Sequence, residues 1–70
     1  MTTDTILVPE IHCDHCRTSI EGALAPLAGV ARASVDIDAR QVTVDYDETA
    51  IDRDALITAI EGQGYEVPSA

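Results

Sequence analysis

The chain has no lysine, no phenylalanine and no tryptophan, and two tyrosines are its only aromatic residues. Four arginines stand against thirteen acidic residues, for a formal charge of -9. Nucleic acids and anionic membrane surfaces are bound by Lys and Arg neutralising phosphates, so this balance repels both. Without Phe or Trp, any core is built from Ile, Leu, Val and Ala. That is enough for a two-layer fold and too little to wall a deep substrate cavity. The 70 residues make one small domain over 1–70, with its core over about 5–68. An enzyme with a buried active site is not expected. No apolar run approaches membrane-spanning length and no basic-plus-apolar segment opens the chain, so neither direct membrane insertion nor export is signalled. A cytoplasmic location is the expectation.

What is present reads as a regular alternation of elements. Ile6-Leu7-Val8 suggests a short strand ending at Pro9-Glu10. Cys16, Ile20, Ala23, Leu24 and Leu27 then recur at the spacing of one buried helical stripe. Pro26 and Gly29 stop that helix near Ala25. The period next falls to two: Ala31, Ala33, Val35 and Ile37 alternate with polar residues, as do Val42, Val44 and Tyr46. The break at Asp38-Ala39-Arg40 is short enough for an antiparallel hairpin. Tyr46 reads as hairpin packing. Asp52 is placed to N-cap a second helix, with Ile51 and Leu56 positioned to close a hydrophobic staple. Leu56, Ala59 and Ile60 supply its buried stripe, its charges form a solvated face, and Gly62 and Gly64 end it. A last strand is expected over Tyr65-Glu66-Val67, cut off by Pro68. The expected fold is therefore α+β, a ferredoxin-like βαββαβ sandwich whose four-stranded antiparallel sheet carries both helices on one face.

The chemistry concentrates in Ile11-His12-Cys13-Asp14-His15-Cys16, which holds the only two cysteines. Its place between a strand and a helix start puts the thiols near unpaired N–H groups and a partial positive charge, which favour thiolate. One close pair of cysteines points to metal or redox work rather than a structural staple. Three chemistries use Cys-x-x-Cys: half of a zinc site, a dithiol redox couple, or a two-thiolate metal carrier. Closed structural zinc needs four ligands, and neighbouring residues of one short loop cannot all converge on an ion. A thioredoxin-like redox fold needs a longer chain, though a small dithiol redox protein stays open as an alternative. Two thiolates with no obligatory third ligand suit a soft ion of low coordination number, above all Cu(I).

Over Ile6 to Val67 the chain resembles the heavy-metal-associated domain family, and within it stand-alone bacterial copper chaperones. The resemblance rests on the Cys13–Cys16 loop, Ile20, Leu24, Gly29-Val30 and the closing Ile60-Glu61-Gly62-Gln63-Gly64-Tyr65. It implies a surface metal loop, Cys13 and Cys16 as Cu(I) ligands, and delivery to the metal-binding domain of a P-type metal-transporting ATPase. It also implies that Tyr65 stands beside the metal loop, where it is a candidate shield for the loop and otherwise a core-edge aromatic. Glu10-Ile11 departs from the family's usual Gly-Met; Ile11 can fill the methionine's volume, while the lost glycine implies a different loop geometry. His12 occupies a position that is an aspartate ligand in zinc-handling relatives, which makes it a candidate third ligand and Zn(II) the alternative cargo. His15 is expected to tune the neighbouring thiols, since an imidazolium lowers thiol pKa. The reading is a non-enzymatic carrier, with a metal-bridged homodimer as a further candidate assembly.

Overall fold

A computed structural model of the chain describes residues 1–68. Five elements follow one another: β1 (Thr2–Leu7), α1 (Asp14–Leu24), β2 (Val30–Asp36), β3 (Gln41–Tyr46) and α2 (Arg53–Glu61). The strands form one antiparallel sheet in the order β1-β3-β2. Its register sets Ile6 and Val35 on either side of Val42, and Asp4 and Ala33 on either side of Val44. Because side chains alternate between faces, Ile6, Val35, Val42, Val44 and Tyr46 are buried together. Thr3, Thr5, Gln41 and Thr43 lie exposed on the opposite face. Cys16, Ile20 and Leu24 of α1 and Leu56, Ile57 and Ile60 of α2 enter the same core. Both helices therefore cover the one apolar face, and they touch each other. Each fully buried Leu or Ile contributes about 1.5–3 kcal/mol of hydrophobic stabilisation, so the aliphatic core stands in for the missing large aromatics.

Three expectations are corrected. Strand β1 starts at Thr2, well before Ile6, and ends at Leu7. Its polar opening is held by Asp4, which accepts a 2.5 Å hydrogen bond from the Tyr46 hydroxyl and faces Arg53 at 3.6 Å. Tyr46 is thus buried packing with an anchored hydroxyl. In β2 the register shifts between Val30 and Arg32. The extra residue leaves Ala31 exposed, where strict alternation would have buried it. Finally, the fourth strand expected over Tyr65–Val67 does not form among the described residues, whose sheet has three strands. Gly64, at φ 91, turns the chain just before it, and Pro68 lacks a donor just after it. The Glu66 N–H donates to the Glu10 carboxylate at 2.6 Å instead of a strand carbonyl. Val67 still reaches the core.

Gly29 closes the fold behind α1. At φ 94 it adopts a backbone that L side chains avoid, and an added Cβ would stand 2.9 Å from Ile51 Cγ2. This close approach seats the entry to α2 against the start of β2, and the Gly29 carbonyl accepts from Asp47 N–H at 2.7 Å.

Candidate metal centre

The loop between β1 and α1 is tied down before it reaches the cysteines. Arg40, at the hairpin tip with φ 56, offers its carbonyl to Val8 N–H at 2.9 Å. Its guanidinium donates to the Pro9 carbonyl at 3.3 Å. Ile11 N–H returns to the Val8 carbonyl at 3.1 Å, tightening the turn. Ile11 itself is fully buried, so it fills the space beneath the loop and fixes its height over the core.

Cys13 is the N-cap residue of α1, with extended backbone (φ -158, ψ 170) and no side-chain cap bond. Cys16 follows one turn later on the same face. It is buried, Cys13 is half-buried, and both are free. Their sulfurs are 3.6 Å apart. His12 brings Nδ1 to 3.8 Å from Cys16 Sγ, and ligand atoms of His12, Cys13 and Cys16 all lie within 4.8 Å of one another. That Nδ1 also sits 2.7 Å from the Glu10 carbonyl oxygen. A carbonyl can only accept, so Nδ1 carries the proton of this hydrogen bond. His15 is exposed on the first turn of α1, outside this group. Asp14 beside it pairs with Arg17 at 3.2 Å.

The electrostatics favour a thiolate at Cys16. Its pKa is pulled down to about 7, first by the Tyr65 hydroxyl, then by the backbone at His12 and by Cys13, against the opposing effect of burial. The Tyr65 hydroxyl is correspondingly pushed up, chiefly by Cys16 and then by burial. The opposite directions share one cause: a phenol that keeps its proton can share it with a neighbouring thiolate. Cys13 Sγ and His12 Nδ1 make the close side-chain contacts to the Cys16 sulfur. The uncapped first turn of α1 adds its free N–H groups.

The structure thus gathers Cys13, Cys16, His12 and Tyr65 and leaves His15 at the surface. Two contributors lay outside the sequence-based site, Glu10 and Arg40. The one signal that could have drawn attention to Glu10 was its standing where the family usually has glycine. Nothing local marks Arg40, because its partners, Val8 and Pro9, come from a distant part of the chain.

A pair of free thiols opening the first helix of a βαββα fold, over an aliphatic core, defines a small domain that holds two sulfurs together at a helix start. The chain belongs to the heavy-metal-associated domain family, whose model matches residues 5–66. It is 49% identical over 67 residues to the copper chaperone CopZ of Staphylococcus haemolyticus (strain JCSC1435), covering 96% of this chain and 98% of that protein. Among solved structures it is similar to a CopZ metallochaperone, with TM-score 0.91, 35% identity, and 94% and 98% of the two chains covered. It is also similar to a copper-binding domain from HMA7, a P-type ATPase, with TM-score 0.90, 29% identity, and 94% and 89% covered.

Proposed function

We propose that this protein is a cytosolic carrier that binds one Cu(I) through Cys13 and Cys16 and passes it to the Cys-x-x-Cys domain of a copper-transporting P-type ATPase. The observation that carries the reading is the sulfur pair, 3.6 Å apart at a helix start. Two sulfurs at that separation can share one ion at an ordinary metal–thiolate distance of about 2.3 Å. Soft thiolates without a fixed third ligand match Cu(I). The kinship to copper chaperones and to a P-type ATPase domain supports both cargo and recipient.

Transfer needs no catalytic group and no change of oxidation state. A partner thiolate forms its bond to the bound ion before the bond to Cys13 or Cys16 breaks, so the metal is never free. Copper is cargo, and the thiols lose their protons when it binds. No helix among the described residues is long and apolar enough to cross a membrane. A metal-bridged homodimer would bring two chains of charge -9 together, a repulsion that salt weakens.

One observation keeps Zn(II) as a second reading: His12 lies within the three-residue group, and Zn(II) requires ligands beyond two thiolates. Because His12 Nδ1 is committed to the Glu10 carbonyl, Nε2 would have to ligate or that bond would have to break. The deciding experiment titrates apo protein with Cu(I) against a chromophoric chelator, and with Zn(II). We expect one Cu(I) per chain, binding lost in Cys16→Ser with far-UV circular dichroism retained, and His12→Ala weakening Zn(II) more than Cu(I). Cu(I) affinity that collapses in His12→Ala would replace the two-thiolate site with a three-ligand one. Feeble binding of both metals together with rapid dithiol–disulfide exchange would favour the redox alternative.

A further inference from the structure

Glu10 connects two stretches of chain that meet at the Cys16 sulfur. Its side-chain Oε1 accepts the Glu66 N–H at 2.6 Å. Its backbone carbonyl accepts His12 Nδ1–H at 2.7 Å, and the same Nδ1 lies 3.8 Å from Cys16 Sγ. Tyr65, the residue before Glu66, packs against the core cluster that includes Cys16, and Cys16 is the first cause of the upward shift of its hydroxyl pKa. From this geometry we infer that Glu10 is a positioning residue for the thiol pair, seating His12 beside Cys16 and holding the segment that carries Tyr65.

The need for such a residue follows from the fold. After Gly64 the chain joins no strand among the described residues, so no ladder fixes where the Tyr65 ring stands. One carboxylate–amide hydrogen bond, stronger than a neutral pair, restrains this segment together with the burial of Val67. Glu10 is itself well held. Pro9 before it has a ring-locked φ and a carbonyl bonded to Arg40, and Ile11 after it is fully buried. The carboxylate is therefore presented from a fixed base, and the C-terminal segment is drawn to the metal loop. Glycine at this position would leave the backbone branch to His12 and delete the branch to Tyr65.

The inference rests on Cys13 and Cys16 being the working thiols, but not on which metal they carry. Its test accordingly uses the metal-free chain. Glu10→Ala, Glu10→Gln and, as a distant loss of equal charge, Glu48→Ala are compared by two readouts: the exchange rate of the Glu66 amide proton, and the iodoacetamide reactivity of Cys16 relative to Cys13. In Glu10→Ala the Glu66 amide should exchange about tenfold faster, the scale of one lost hydrogen bond, and the Cys16-to-Cys13 ratio should change severalfold. Glu10→Gln keeps an oxygen acceptor and should restore both to within about twofold. Glu48→Ala should move neither. In a Tyr65→Phe background, Glu10→Ala should leave the reactivity ratio unaltered, because the hydroxyl through which it acts is gone. Wild-type exchange and reactivity in Glu10→Ala would overturn the inference. So would equal changes in Glu48→Ala, or failure of Glu10→Gln to restore either readout. Each of these outcomes stands whether or not the chain proves to carry copper.

Discussion

The two helices begin in opposite ways. At the start of α2, Asp52 accepts the Ala55 N–H at 2.9 Å. Ile51 before it and Leu56 after it both pack into the core, the arrangement of a closed hydrophobic staple. At the start of α1, Cys13 has comparably extended backbone but makes no side-chain cap bond. The residues in the two staple positions there are His12 and Arg17, both exposed. One helix start is thus finished for stability, while the other is left open with its N–H groups available to negative charge. The lesson is local: a thiol occupies the very position where an oxygen would have stabilised the helix. That substitution of roles gives the sharpest tests.

The largest effect should come from Cys13→Ser. Losing one of two ligands should collapse Cu(I) affinity by orders of magnitude in chelator competition. The serine oxygen should meanwhile cap α1 and stabilise the apo protein by about 0.5–1 kcal/mol, read from denaturant melts. A less stable variant would mean that the open helix start is not a sacrifice of stability. The converse experiment is Asp52→Ala, expected to cost about 1 kcal/mol and, in a domain this small, about 4–8 °C in Tm. Its Cu(I) affinity should match the parent; a loss would show that the two helix starts are coupled.

Subtler effects follow from charge. Cys16 has a folded pKa of about 7, depressed below that of an unfolded thiol. Its contribution to apo stability is therefore fully present above the unfolded value and is lost as pH falls through about 7. Apo stability should climb over that window, and Tyr65→Phe should flatten the climb because the hydroxyl is the first cause of the shift. A Tyr65→Phe slope identical to the parent's would remove Tyr65 from the site. The smallest expected change concerns delivery. Glu10 and Asp14 flank the metal loop in a chain of charge -9, whereas Glu21, expected beside them, turns its carboxylate to the Val35 N–H of β2. A recipient presenting basic residues would be steered to the loop by the first two and the overall charge. Stopped-flow transfer to the cognate ATPase domain should slow modestly between low and physiological salt while Cu(I) affinity barely moves. A rate indifferent to salt would leave solubility as the only role of the charge.

Much of this architecture is legible in the sequence. The stripe of α1, the alternation of β3 and the cap and staple of α2 are repeats within single segments, and segments of that kind announce themselves. The failures were all of another type. Thr2–Asp4 look unlike a strand until Tyr46 and Arg53 arrive to hold Asp4. Ala31 keeps perfect alternation in the sequence, and only its pairing with β3 reveals the extra residue. Tyr65–Val67 has strand-forming residues, yet its amide goes to a glutamate far away in the chain.

At the site the same division holds. By itself the sequence determined the two cysteines, their spacing on one helical face, the helix start beneath them and the aliphatic core, because each depends on neighbours within a turn or a strand. Only the tertiary structure decided which groups brace the loop that carries the cysteines. Tyr65 and Glu66 come back from the far end of the chain, Arg40 reaches in from a hairpin, and His12 is turned by the Glu10 carbonyl. Those contacts join residues that sequence spacing does not relate, so they exist only once the core has closed and brought the loop, the hairpin tip and the C-terminal segment to one end of the molecule.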